Sequence, residues 1–139
     1  GELLSVPGGG SRLPLTPAAL EQGLQYMRMD GRAVFKWAVR MVHDVARDVV
    51  RHAELTVSDI DLVTMHQANL RIIDATAKRA HIPPERVFIN IDRYGNTSAA
   101  SIPIALDEAR REGALKSGDV AVLVAFGAGF TWGACAIRF

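Results

Sequence analysis

The chain has 139 residues, enough for one domain with a real core. Lys and Arg number 16 against 15 Asp and Glu, and 49% of the residues are hydrophobic, which excludes a disordered chain and a nucleic-acid protein driven by bulk charge. No apolar run approaches the roughly 20 residues a membrane helix needs, and the one cysteine excludes an internal disulfide and fits a reducing compartment.

The opening segment alternates weakly from Gly1 to Pro7 and then breaks at Gly8-Gly9-Gly10-Ser11. Thr16 can cap a short helix, and residues 1–23 are expected to form a lead-in to a half-domain spanning 24–139. The Gly start and the strand-like first residues suggest a piece of a longer polypeptide. A strand is expected over Leu24–Met29 and a break at Asp30-Gly31. Arg32–Ala53 has helical periodicity, with Val34, Phe35, Ala38, Met41, Val42, Val45 and Val49 on one side and Arg32, Lys36, Arg40, Arg47 and Arg51 on the other. Thr56 to Asp59 has the pattern of a capping box.

A strand over Asp61–Met65 then runs into His66-Gln67-Ala68-Asn69 and a helix to Ala80. After the turn His81-Ile82-Pro83-Pro84 a strand is expected over Val87–Ile91, and a helix over Ser98–Glu112 that begins near Ser101 or bends at Pro103. Val120–Ala125 reads as a buried strand. Thr131–Phe139 reads as a last strand, running antiparallel because its connection is too short for a crossover. The order βαβαβαββ implies an α/β half-domain: a five-stranded, mostly parallel sheet with an antiparallel last strand and helices on both faces.

Three polar junctions stand where strands end, and open α/β sheets keep their ligands at that edge. His66 has a plain reading, a ring that ends a strand and bonds a backbone group. In its other reading, the dipole of the following helix disfavours the protonated ring, and a neutral imidazole serves as a donor at an enolate. The Gln-Ala-Asn that follows, together with the other two junctions, favours the second reading. Asn96, in Tyr94-Gly95-Asn96-Thr97-Ser98, is either an Asx turn or an amide donor aimed at a developing oxyanion, worth about 3 kcal/mol in a dry site. Phe126-Gly127-Ala128-Gly129-Phe130 is a tight turn or a hairpin that presents backbone N–H groups to a ligand. A dinucleotide loop is rejected because the glycine spacing is incomplete and a strand follows. Cys135, within the last strand, reads as a buried inert thiol, and His43, His52 and His81 read as surface residues. No spacing suggests a metal site. The basic stripe including Lys36, and Arg71 with Lys78, would suit an acidic or phosphorylated partner.

Taken in order, His66-Gln67-Ala68-Asn69-Leu70-Arg71, Tyr94 to Ser101 and Ala125 to Gly133 closely resemble the carboxyl-terminal half of β-ketoacyl-acyl-carrier-protein synthase III, and Asp30 to Ala38 fits the same family. The resemblance implies the thiolase fold. It also implies a ping-pong decarboxylative condensation in fatty-acid initiation: a cysteine takes an acyl group from acyl-coenzyme A, and the enolate of malonyl-acyl-carrier protein attacks it. By position His66 and Asn96 match the catalytic His and Asn, two donors on the thioester oxygen. Gln67 to Arg71, through Ala68, Asn69 and Leu70, matches the carrier-protein-binding stretch. Lys36 joins it, and Gly31, Ala68, Asn69 and Phe126 would line the pantetheine channel. The backbone N–H of Ala128 would contribute to an oxyanion hole; many members have glycine there.

The same resemblance implies coenzyme A thioesters as substrates and no resident cofactor or metal. Its implied partners are acyl-carrier protein, acyl-CoA and an amino-terminal half, with a homodimer in the whole protein, no nucleic acid and no membrane, in the cytoplasm. The family's nucleophilic cysteine belongs to the other half, and Cys135 is not at its position, so this chain alone is not expected to carry an acyl-enzyme. The alternative is a non-catalytic half-domain that only holds coenzyme A or carrier protein, or acts as a scaffold.

Overall fold

The computed structural model describes residues 3–139. Gly1 and Glu2, at the head of the expected lead-in, lie outside them. The chain divides into two compact units, residues up to Trp37 with Gly127–Thr131, and Ala38–Phe126 with Trp132–Phe139.

In the first unit, strand β1 (Leu4–Ser5) is followed by a short helix α1 (Pro17–Glu21). The Thr16 hydroxyl caps α1 by accepting from the Ala19 N–H at 3.2 Å, and Pro17 sits where no amide partner is needed. Strand β2 (Arg28–Met29) pairs antiparallel with β1, Leu4 opposite Met29. The strand expected over 24–29 is therefore mostly turn. The helix α1 closes with Gly23 at a φ of 67°, and the Tyr26 N–H returns to the Gly23 carbonyl at 3.2 Å, so only two residues are left extended. Asp30 then caps helix α2 (Gly31–His52), its carboxylate accepting from the Ala33 N–H at 3.0 Å. Trp37 stacks on Phe130 with ring centroids 4.4 Å apart.

The second unit is built on a four-stranded sheet. After α2 come strand β3 (Leu62–Met65), helix α3 (Leu70–Arg79), strand β4 (Val87–Phe88), a short helix α4 (Ile91–Tyr94), helix α5 (Ser101–Arg111) and strands β5 (Val120–Gly127) and β6 (Thr131–Arg138). The sheet order is β4-β3-β5-β6. One strand of the expected five is thus absent from it, because just Arg28 and Met29 of residues 24–29 form a strand, and they pair with β1. β3 runs parallel to both neighbours, with Leu62 beside Ala121, and Thr64 beside Phe88 and Leu123. β6 returns across three residues, too short a link for a crossover, and so runs antiparallel.

The two faces follow from the alternation of side chains and the handedness of crossovers. The step from β3 to β4 and the step from β4 back past β3 to β5 go in opposite directions. With right-handed crossovers, α3 and α5 fall on opposite faces. On the α5 face Leu62, Phe88, Ala121 and Leu123 form a cluster with Ala105, Ala109 and Leu115. On the other face point Val63, Met65, Val122 and Val124, all buried. All four positions of β3 are buried, as a strand covered on both sides must be.

The helix expected over 98–112 starts as α5 at Ser101, so Pro103 lies in a first turn that tolerates it. Val87–Ile91 shortens to two strand residues because Asn90 turns inward and Ile91 opens α4 instead. Cys135 is exposed rather than buried, since β6 is the edge strand and its positions 131–133 are exposed on both faces. His43 is half-buried, with Nδ1 enclosed and unpartnered among the described residues; it is not a surface residue.

Ala105 and Ala109 have 0% exposure where α5 meets the sheet. Ala105→Leu would force added methylenes into a filled layer. Urea unfolding is expected to show a loss of about 1–3 kcal/mol.

Candidate active site

Both ends of β3 are pinned to β5. The Asp61 N–H donates to the Val120 carbonyl at 2.9 Å, and its carboxylate accepts from the Val120 N–H at 2.8 Å. At the far end the His66 N–H donates to the Val124 carbonyl at 2.8 Å. His66 is thereby the last residue held in the sheet. The chain then tightens, with the Ala68 N–H returning to the His66 carbonyl at 2.8 Å. The Asn69 carboxamide caps α3, its oxygen accepting from the Arg71 N–H at 2.9 Å.

The His66 ring is half-buried and lies edge-on to Phe126, centroids 5.8 Å apart. Its Nδ1 is 2.7 Å from the Ser101 hydroxyl, at the first residue of α5. That hydroxyl also accepts from the Gln67 N–H at 3.2 Å and donates to the Ser98 carbonyl at 2.9 Å. Burial, with no charged group contributing, holds the ring's pKa below its usual 6.5.

Ser98 also fixes Asn96. The Ser98 N–H donates to the Asn96 side-chain oxygen at 3.0 Å. The amide orientation follows from that donor, and the two Nδ2 hydrogens are left for a ligand. Asn96 thus forms an Asx turn. Ser98 sits at a φ of 51°, a left-handed conformation that costs a non-glycine residue about 1 kcal/mol or more. Asn96 and His66 are therefore joined by a short chain of hydrogen bonds through Ser98 and Ser101.

Gln67 lies inside the domain rather than on its surface. It is 1% exposed. Its amide donates to the Met65 carbonyl at 2.8 Å and, more weakly, to that of Phe88 at 3.5 Å, and its oxygen accepts from the Asn90 N–H at 3.1 Å. The side chain ties the ends of β3 and β4 together. Asn90, also 1% exposed, passes the linkage on to Glu108 of α5 at 2.8 Å, where Tyr94 and Arg93 converge at 3.1 and 2.8 Å. Serines 98 and 101, Asn90 and Glu108 were not singled out from sequence. A hydroxyl at the head of a helix five positions after Asn96 was the one available signal.

Of the remaining sequence-expected residues, Ala68 is half-buried and Leu70 and Arg71 are exposed at the head of α3. Gly31, Lys36 and Ala128 are exposed and belong to the first unit. Among the described residues, no group of three His, Cys, Asp or Glu side chains could hold a metal ion, and no helix is long and apolar enough to cross a membrane.

The class these features define is an α/β half-domain of thiolase type, with an imidazole and a carboxamide set at the carboxyl edge of its sheet. Residues 50–139 match the family described as 3-oxoacyl-[acyl-carrier-protein] synthase III, C-terminal, and the chain belongs to that family. The β-ketoacyl-[acyl-carrier-protein] synthase III of Rhodopirellula baltica is 52% identical over 139 residues, covering 100% of this chain and 40% of that protein. The Symbiobacterium thermophilum protein of the same name is 55% identical over 136 residues, 98% of this chain and 41% of that one. The crystal structure of the Aquifex aeolicus synthase III superposes with a TM-score of 0.83 at 46% identity, over 99% of this chain and 40% of that one. The Pseudomonas aeruginosa structure gives 0.86 at 42% identity, over 99% and 41%. The chain thus spans about two fifths of the length of these relatives.

Gln67→Leu leaves the Asn90 N–H without its acceptor inside the protein. Denaturant unfolding is expected to show a loss of about 1–3 kcal/mol. His66 and His43 both lie below their ordinary pKa of 6.5, burial being the first cause in each and Arg79 adding to it at His43. The unfolded chain takes up these protons first, so stability is full above about pH 6.5 and is lost as pH falls toward the lowered folded values. Unfolding midpoints measured at about pH 7.5 and 5.5 should drop at the lower pH, and less steeply in His43→Gln.

Proposed function

We propose that the chain is the carboxyl-terminal half of a fatty-acid-initiating condensing enzyme and supplies its decarboxylation residues. The observation that carries this reading is the hydrogen-bonded turn that holds Asn96 and His66 together at the end of β3. A cysteine of the amino-terminal half takes an acyl group from acyl-coenzyme A. Malonyl-acyl-carrier protein then binds. As its carbon–carboxylate bond breaks and CO₂ leaves, the electron pair moves onto the thioester oxygen. Asn96 Nδ2 donates to that oxygen, and His66 does so when Nε2 carries a proton. The enolate carbon then attacks the acyl-cysteine thioester, and collapse of the adduct expels the thiolate. The Ala128 N–H serves the oxyanion of that second step.

Asn69, Leu70 and Arg71, exposed at the head of α3, are the part of the 67–71 stretch that meets the carrier protein, and Lys36 offers it a further cation. Gly31, Ala68 and Phe126 serve the pantetheine arm. Gln67 supports from within, and Asn69 keeps its side-chain oxygen for the helix cap. The reading carries with it a homodimeric whole protein in the cytoplasm, coenzyme A thioesters as substrates, and no resident cofactor.

With the cysteine-bearing half present, His66→Ala and Asn96→Ala are each expected to slow decarboxylation of malonyl-acyl-carrier protein about 10²–10³-fold. Acylation of the cysteine by acetyl-coenzyme A, read by intact mass, should be retained. Unchanged decarboxylation in both variants would end the assignment.

A further inference from the structure

The protons around the Ser101 hydroxyl can be counted. Three groups meet Oγ: His66 Nδ1 at 2.7 Å, the Gln67 N–H at 3.2 Å and the Ser98 carbonyl at 2.9 Å. The carbonyl has no hydrogen, so the short contact between two oxygens is attractive only if Ser101 spends its single proton there. The contact with Nδ1 must then take its proton from the ring. If the serine proton pointed to Nδ1 instead, two oxygens would face each other 2.9 Å apart with nothing between them. Only the first arrangement gives every contact a proton.

We infer that Ser101 is a positioning residue that holds neutral His66 in the Nδ1–H form, so that Nε2 offers a lone pair and can donate to a thioester oxygen only as the imidazolium. The tautomer of a histidine is set by the bond its other nitrogen makes, and Nε2 has no hydrogen-bond partner among the described residues. An imidazolium is the stronger donor to developing negative charge. The substrate's own carboxylate, arriving beside the ring, favours that charged form. The groups recorded against the ring are Ser101 of α5 and Phe126 of β5, neither of which titrates in the relevant range. Burial holds its titration below the usual 6.5. The inference rests on the proposed condensation for its reaction, but not for the state of the ring.

The test uses the complete natural protein labelled with ¹⁵N-histidine, the His66 signals being assigned by their loss in His66→Gln. At neutral pH, Nδ1 should resonate as a pyrrole-type and Nε2 as a pyridine-type nitrogen. In Ser101→Ala the ring should shift toward Nε2–H, while Ser101→Thr, which keeps the hydroxyl, should restore the original pattern. A protonated Nε2 in the neutral wild-type ring, or an unchanged tautomer in Ser101→Ala, would overturn the inference. The same samples are then assayed for malonyl-acyl-carrier-protein decarboxylation against pH. The wild-type rate should fall about tenfold per pH unit above the titration of His66. In Ser101→Ala that alkaline limb should flatten, because a neutral Nε2–H ring can donate without charging. A shifted tautomer with an unchanged limb would defeat the imidazolium requirement. A ring behaving as described in a protein that decarboxylates nothing would defeat the proposed function and leave the ring assignment intact.

Discussion

One hydroxyl oxygen, Ser101 Oγ, governs the arrangement at the end of the sheet. It receives a backbone N–H from the chain just past β3, sits against the His66 ring, and gives its proton to the backbone of the turn that carries Asn96. Because Ser101 is also the first residue of α5, its position is set by the packing of that helix on the sheet. Two small residues make this packing close: Ala105 and Ala109 have no exposed surface. Core packing thus sets, through one helix start, the position of the hydroxyl that meets His66 Nδ1.

Around this hub the polar groups do structural work that apolar groups could not. Strand ends expose carbonyls and N–H groups that have no ladder partner. Gln67 satisfies three of them at once between β3 and β4, and Asn90 continues to Glu108, where Arg93 and Tyr94 also bind. These bonds tie the carboxyl ends of β3 and β4 to each other and to α5, next to His66. The left-handed Ser98 is the local conformational cost of this turn. Its N–H and its carbonyl serve Asn96 and Ser101 at the same time, and an ordinary helical start would not place both.

Much of this was legible in the residues. The run from Asp61 to Met65 and the 3.6-residue period after Asn69 located the β3–α3 junction to within a residue, because burial on both faces and a capped helix leave strong local patterns. Pro103 limited the start of α5 to the right place. Other features depended on distant contacts that periodicity does not encode. The alternation at Leu24–Met29 resembled a strand, but Gly23 and the cap of α1 turned most of it into a loop. Val87–Ile91 looked like a full strand until Asn90 was drawn inward by Gln67 and Glu108. Cys135 looked buried between two alanines, yet which face of an edge strand is covered depends on what packs there. Gln67 carried a polar, surface-like identity, and only its three internal bonds reveal it as core.

The central claim is that the turn from Asn96 to Ser101 aims two side chains at one thioester oxygen. The most direct test is a crystal structure of the complete natural protein with a non-hydrolysable malonyl-thioester analogue. The account predicts the analogue's carbonyl oxygen at about 2.7–3.1 Å from both Asn96 Nδ2 and His66 Nε2, with the Ser98 and Ser101 hydrogen bonds intact. An analogue whose carbonyl oxygen contacts neither atom, or an Asn96 amide turned away from it, would contradict the account.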